Sequence, residues 1–178
     1  TRAQALEVRD IIFSGLELMA AEADPNKRFT AVVVGGGATG VETAGALAEM
    51  KTQALPVLYP EVGVDNFHVV LVEMTDRLLG PFDRRLQRYT RRELSRLGVD
   101  VRMDTAVQEV AADHVDFADG SRLDCDLVIW ASGVGGHPEV DGWGLPQGRG
   151  GRILVGKDLR VVGHDDIYGA GDAVLCAD

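Results

Sequence analysis

A parallel α/β sheet flanked by helices, with an antiparallel three-stranded β-meander in place of one helical crossover, is the fold class the sequence predicts. Three observations predict it. The run Phe29-Thr30-Ala31-Val32-Val33-Val34 is β-branched and apolar, ends abruptly in Gly35-Gly36-Gly37, and is followed by a helix-forming stretch. Further apolar runs alternate with helical stretches up to residue 103, the rhythm of strand–helix–strand units. Between residues 106 and 124 that rhythm breaks into short runs of alternating character around Asp119-Gly120, a pattern of hairpins rather than of a helix.

Residues 3–23 read as a helix, because Ala5, Val8, Ile12, Leu16, Met19 and Ala23 recur at spacings of three and four. Asp24-Pro25-Asn26 stops it. The first strand spans 29–34 and is apolar nearly throughout, as a parallel strand buried on both faces should be. A helix rich in Ala, Glu and Leu covers about 39–50. Residues 55–66 form a looser segment, with Pro56, Pro60 and Gly63 as breakers. A second buried strand, 68–73, ends in Glu73. Residues 81–97 suggest a helix with Leu86, Tyr89, Leu94 and Leu97 inward and Gly98 as C-cap. A third strand covers 99–103, the meander takes 106–111, 114–117 and 121–124, and a buried strand follows at 125–130. A glycine-rich loop at 135–151 leads to a last short β pair, 152–155 with 159–162. Residues 167–172 read as a strand running into a turn.

Composition bounds the function. With 178 residues, the chain can bury about 70% of its unfolded surface. Its 46% hydrophobic and 26% charged content is ordinary for a globular protein. Acidic residues outnumber basic ones 28 to 18, for a net charge of −10, which disfavours nucleic acid as a partner. No apolar run approaches the ~20 residues of a membrane span, and no secretory signal is present. Cys125 and Cys176 form no C-x-x-C pair and suit a reducing compartment. No repeat or low-complexity linker divides the chain. It begins at Thr1 without a methionine, as a piece of a longer protein does.

Gly35, Gly37 and Gly40 stand at the G-x-G-x-x-G spacing of a Rossmann-like dinucleotide-binding turn, with a strand before and a helix after. Gly35 permits the tight turn, Gly37 admits a pyrophosphate to the backbone, and Gly40 permits close helix packing. The phosphates then sit on amides at the helix N-terminus, so Ala38 and Thr39 join the glycines as candidate binding positions. Glu73, at the end of the second strand, suits an adenosine ribose diol and disfavours a 2′-phosphate, although Arg77 nearby complicates that choice. Its separation from Gly35 exceeds the usual ~20 residues because of the 55–66 segment. Glu42 is placed on the first helical turn, where the dipole favours a carboxylate by ~0.3–1 kcal/mol; alternatively it lies near the redox-active end of a cofactor. Gly133 follows the buried strand and joins Gly35 and Glu73 on the carboxyl edge of the sheet. His68, His114, His137 and His164 show no metal-ligand spacing. Arg84, Arg85, Arg88, Arg91 and Arg92 form a basic stripe, expected to be a solvated helix face balanced by acidic surroundings.

Together these residues resemble the flavin-dependent pyridine nucleotide oxidoreductases, in particular their NADH-binding domain. The resemblance rests on the sequence from Val32 to Glu42, Leu71-Val72-Glu73, the meander, and Val128 to Val134. Within that family the chain is most similar to type II NADH:quinone oxidoreductases, through the long segment before His68, the helix opening at 40–49 and the strand end containing Trp130. The resemblance implies that Gly171-Asp172 is the family's second flavin motif, whose aspartate binds the ribityl or pyrophosphate part of FAD. It further implies that residues 1–26 are a lead-in helix, 27–163 the NADH-binding domain, and 164–178 the start of a returning flavin-domain segment. On this reading the intact protein passes hydride from NADH to FAD and electrons to a quinone. It is cytoplasmic, held peripherally at the inner face of the membrane. The fragment binds dinucleotide without turnover, since the rest of the flavin domain is missing, and no side chain acts as catalytic acid or base. The alternatives are a disulfide or ferredoxin reductase of the same superfamily, or a non-catalytic NAD-binding module.

Overall fold

The computed structural model describes residues 2–22, 24 and 26–176. Four strands, β1 (Phe29–Val34), β2 (Phe67–Val72), β3 (Val99–Arg102) and β7 (Leu127–Trp130), form one sheet in the order β3-β2-β1-β7. All of its pairings are parallel. Between β3 and β7 the chain runs through β4 (Val107–Val110), β5 (His114–Phe117) and β6 (Arg122–Asp124), an antiparallel three-stranded sheet. The predicted meander thus takes the place of a helical crossover. The Asp119 carboxylate accepts from the Ser121 amide at 2.9 Å, while Gly120 takes a positive φ of 85° to close the turn.

Strand alternation divides the core into two. Phe29, Ala31, Val33, Phe67, Val69, Leu71 and Val99 face the helices α1 (Arg2–Glu22), α2 (Ala38–Glu49) and α4 (Arg84–Arg96). Val32, Val34, Val70 and Val72 face the other way, onto Val115, Phe117 and Cys125 of the meander region. Both faces of β1 and β2 are therefore covered, which explains why their sequences are apolar without alternation. Phe29 and Phe67 begin their strands side by side, their rings stacked with centroids 5.4 Å apart. The Phe29 ring lies so close over Gly15 that a Cβ there would strike it.

Helix α1 buries Ile12, Leu16 and Met19 but leaves Ala5 exposed and Val8 half-buried, so its apolar stripe is covered only in its second half. Ala23 and Pro25 lie outside the described residues; the Asp24 carboxylate accepts from the Asn26 amide just past the helix. The 55–66 segment is less loose than expected. After α2 the chain makes a π-helical turn, Met50–Ala54, and continues as α3 (Leu55–Leu58). Pro56 lacks an N–H, and the π turn before it, in which the Leu55 amide reaches the Met50 carbonyl, lets the helical path continue.

Helix α4 starts at Arg84 rather than at Pro81, because Asp83 caps it: one carboxylate oxygen accepts from the Arg85 amide at 2.8 Å and the Leu86 amide at 3.0 Å. Its inward face also differs from expectation. Leu86 and Tyr89 are 40% and 52% exposed, while Gln87 and Leu94 are buried. The Gln87 amide donates to the carbonyls of Leu79, Gly80 and Phe82 beneath the helix, which gives these backbone acceptors a buried donor. Gly98 ends this element with φ 85°.

The chain divides into two compact units, residues 1–132 and 133–178. The second packs Val140, Ile153, Val155 and Val161 into its own small core. Here the expected β pair is present in part: Val155 bridges Val161 in antiparallel, and the Gly156 and Val162 amides donate to the Arg160 and Leu154 carbonyls at 2.8 and 3.0 Å. β8 (Ile153–Val155) also pairs in parallel with β9 (Val174–Cys176). A strand was expected within 167–172; the segment has one bridge, at Tyr168, and a 3-10 turn, Gly171–Ala173, which precedes β9. Adjacent hairpin-like spacing pointed to the local partner, which is there, but not to the second partner, β9, some twenty residues on. Among the described residues no helix is long and apolar enough to cross a membrane.

Replacing Phe29 by Ala removes a ring that is 4% exposed and joins the stacked pair to Gly15. A loss of about 3–5 kcal/mol in unfolding free energy is expected for such a truncation, to be read from urea denaturation.

Candidate functional site

Three chain reversals meet at one edge of the parallel sheet. Val34 is paired with Val72 on one side and Trp130 on the other. The Gly35 amide donates to the Val72 carbonyl and the Ala131 amide to the Val34 carbonyl, both at 2.8 Å. The glycine turn therefore leaves the sheet between the ends of β2 and β7. Gly35 turns with φ 116°, and a Cβ on it would lie 2.6 Å from the Ala131 carbonyl oxygen. Gly40 meets the turn from the helix side: its Cβ position is filled by the Gly35 carbonyl. Helix α2 can begin where it does only because residue 40 has no side chain.

The middle glycine, Gly36, is a site residue that the spacing motif passes over. Its N–H donates to the Glu73 carboxylate at 2.6 Å, and its carbonyl accepts from the Leu79 amide at 2.8 Å. A Cβ on Gly36 would lie 2.6 Å from Leu78 and 2.9 Å from the Glu73 carboxylate. The only sequence signal for this was the unbroken run of three glycines, Gly35-Gly36-Gly37. Glu73 itself stands one residue past β2, with its other carboxylate oxygen accepting from the Thr75 amide at 2.8 Å. The structure thus brings Glu73 and the glycine turn together.

Gly37, Ala38 and Thr39 are exposed at the start of α2. Gly37 is the N-cap, supplies no side-chain cap, and a Cβ there would meet nothing within 4 Å. The amides of the first turn have no intrahelical acceptor, so the turn presents N–H groups and the positive end of a dipole into open space. Glu42 does not share that turn. The helix begins at Ala38 and has no acid in its first turn, so Glu42 lies exposed in the second, where the dipole effect has faded. The expectation arose from counting from Gly40, although the helix starts two residues earlier.

In the second unit Gly133 has φ 129° and Gly171 φ 78°. Asp172 is exposed, and its carboxylate has no hydrogen-bond partner among the described residues. Arg152, unremarked in the sequence, donates to the Val134 carbonyl at 2.8 Å and the Asp172 carbonyl at 3.0 Å. It ties the 133–134 and 171–172 segments together inside this unit. Arg77, the candidate for opposing Glu73, pairs with Asp76 at 2.6 Å.

The thiols and histidines take other roles. Cys125 lies in the core under the meander, where burial, and then Asp126, Asp124 and Asp113, push its pKa up to about 11. Cys176 is exposed. Among the described residues no three His, Cys, Asp or Glu side chains converge as a metal site; His114 lies against the Asp113 and Asp116 carboxylates.

Residues 9–176 match the family model described as pyridine nucleotide-disulphide oxidoreductase. A probable NADH dehydrogenase of Dictyostelium discoideum is 33% identical over 141 residues, 79% of this chain and 31% of the relative. The type II NADH:quinone oxidoreductase NdhA of Mycobacterium tuberculosis is 31% identical over 183 residues, 96% of this chain and 39% of the relative. Among solved structures, NDH2 from Plasmodium falciparum in complex with NADH matches with TM-score 0.80 over 97% of this chain and 38% of that one; at 24% identity the likeness is one of fold. The chain spans about a third of the length of these relatives.

Two expectations follow from the geometry. Gly40→Ala forces the turn from its helix and lowers unfolding free energy by roughly 1–3 kcal/mol, while Gly37→Ala, whose Cβ meets nothing, changes it by no more than about 0.5 kcal/mol; urea titration separates the two. With a pKa near 11, Cys125 is thiolate in only about one molecule in a thousand at pH 8. A thiol reagent at that pH should label Cys176 in the folded protein and Cys125 only after denaturation.

Proposed function

The chain belongs to the pyridine nucleotide-disulphide oxidoreductase family, and from that premise we propose that it is the NADH-binding part of a flavoprotein that passes hydride from NADH to FAD and electrons on to a quinone. The observation that carries the reading is the uncapped start of α2, held open by the locked peptide of Gly36. The pyrophosphate of the dinucleotide lies on the exposed amides of Gly37, Ala38 and Thr39, where the helix dipole favours its charge, with the buried Gly40 closing the turn behind them. Gly35 and Gly40 shape the turn, and Gly37 leaves the approach clear.

Glu73 serves the adenosine ribose. Each of its carboxylate oxygens already accepts one backbone N–H, and each keeps a further acceptor position for a hydroxyl. A 2′-phosphate in that place faces a fixed negative charge, which supports NADH over NADPH. Arg77, engaged by Asp76, is a weaker counterweight than its sequence position suggested. Glu42, exposed on the second turn of α2, is a candidate neighbour of the nicotinamide half of the dinucleotide.

FAD fits the second unit: Asp172 offers an exposed, unengaged carboxylate for ribityl hydroxyls, and Gly171 turns the backbone beneath it. When bound, NADH and FAD supply the two-electron chemistry, and this chain's residues bind and orient. The remainder of the flavin domain, the quinone site and any peripheral membrane contact at the inner face belong to the intact protein.

Calorimetric titration tests the reading. The 178-residue chain should bind NADH and ADP-ribose, bind NADPH more weakly, and leave NADH unoxidised. Gly37→Val, which puts a branched side chain in the approach at a position where a Cβ meets no protein atom within 4 Å, should weaken NADH binding about tenfold or more, a change of ~1.4 kcal/mol. Unchanged affinity would remove the turn from the site, and a chain that retained FAD and oxidised NADH unaided would overturn the division of labour.

A further inference from the structure

A second feature at the carboxyl edge of the sheet lies outside the dinucleotide reading. The 76–78 segment after β2, Met103 after β3 and one face of α4 enclose a pocket of about 180 Å³. Four arginines line it: Arg77, Arg84, Arg88 and Arg91. We propose that this pocket binds a phosphate group carrying at least two negative charges.

Charge bookkeeping is the first support. The one carboxylate in the lining, Asp76, is held by Arg77 at 2.6 Å. Arg84, Arg88 and Arg91 make no ion pair among the described residues. The acids that could have neutralised them are committed elsewhere. Asp83 caps α4, and Glu93, the only acid within that helix, pairs with Arg96 at 2.9 Å. The stripe is therefore not balanced by acidic surroundings as its sequence suggested. Arg84, Arg88 and Arg91 succeed one another at spacings of four and three, where like charges destabilise a helix. A chain with net charge −10 has carboxylates in excess, yet this face has gathered cations and left them unpaired. A bound dianion relieves that repulsion through guanidinium forks, which match phosphate oxygens in pairs.

Size and surroundings narrow the ligand. Pockets that take a whole small molecule run to about 300–1,000 Å³, so this one suits a headgroup-sized anion, not a complete nucleotide. The buried side chain of Leu78, with Met103, contributes apolar lining. The amide end of Gln87 is consumed by three carbonyls, and the α4 N-terminus is already capped by Asp83. Recognition thus falls to the arginines and not to the helix end.

A phosphate group with this charge is carried by soluble phosphorylated compounds and by anionic lipid headgroups, and the test separates the sources. Inorganic pyrophosphate is titrated by calorimetry into the full chain saturated with ADP-ribose, which keeps the probe off the α2 turn, and the protein is sedimented with phosphatidylcholine vesicles with or without phosphatidic acid. Saturable one-to-one pyrophosphate binding is expected, weakened about tenfold or more by Arg88→Glu. Arg96→Glu, the same charge change on the same helix outside the pocket, should leave it within twofold. Arg88→Gln gives an uncharged check, with circular dichroism confirming the fold of each variant. Pyrophosphate binding without vesicle binding assigns a soluble ligand; co-sedimentation only with phosphatidic acid, reversed by pyrophosphate, assigns a headgroup. Equal losses in Arg88→Glu and Arg96→Glu, or no saturable binding of either probe, overturn the proposal. NADH affinity measured on the same variants should not change, so this result stands or falls separately from the dinucleotide site.

Discussion

The peptide of Gly36 is held from both sides, and the rest of the edge depends on it. Its N–H meets the Glu73 carboxylate and its carbonyl meets the Leu79 amide. A hydrogen bond to a charged acceptor contributes about 1.5–3 kcal/mol, and Gly36 is buried, so losing Glu73 would also strand an N–H away from water. This lock orients the peptides that follow. With Gly36 fixed, the amides from Gly37 onward point outward, and α2 can start directly under the Gly35 carbonyl. Glu73 is thereby structural before any ligand arrives. On the proposed reading a substitution there mixes loss of the turn with loss of a ribose partner, whereas a side chain at Gly37, whose Cβ would meet nothing within 4 Å, would report on the ligand alone.

The two helix starts at this edge solve the same problem in opposite ways. Each leaves amides without acceptors. At α4 the chain supplies its own carboxylate, Asp83, to the amides of Arg85 and Leu86. At α2 it supplies a glycine with no side chain and no acid in the first turn. The unmet amides at α2 are affordable because they face solvent. The contrast distinguishes a helix end that closes the fold from one left available to an outside anion.

The strands of the parallel sheet were legible in the sequence because each is buried on both faces, so its hydrophobic run is unbroken. The meander was legible from Asp119-Gly120 and its alternating flanks. Errors arose where a local signal met a non-local demand. Pro56 reads as a helix breaker, but a π turn absorbs its missing N–H. Leu86 and Tyr89 read as core, yet three loop carbonyls claim Gln87 for the inward face and rotate the leucine outward. The strand after Gly148 pairs with 174–176, which no nearby spacing announces. At the site, Gly35 and Gly40 were legible from their spacing and Glu73 from its strand end. Gly36, Thr75, Leu79 and Arg152 were not, since they act through backbone groups whose partners only the fold reveals.

Charge sets a last constraint on how such a chain meets an anion. A net charge of −10 repels negatively charged ligands at long range, but at physiological ionic strength that field is screened beyond about 8 Å. Attraction must come from groups that touch the ligand. On the proposed reading the α2 start does this with neutral amides, placed by the two hydrogen bonds of Gly36. Because those donors carry no formal charge, their hold on a ligand should depend weakly on salt. A site made of arginine side chains, each with its own rotamers and ion atmosphere, depends on salt strongly. The same acidic chain can therefore present two kinds of anion recognition on one sheet edge, distinguishable by physics before any ligand is identified.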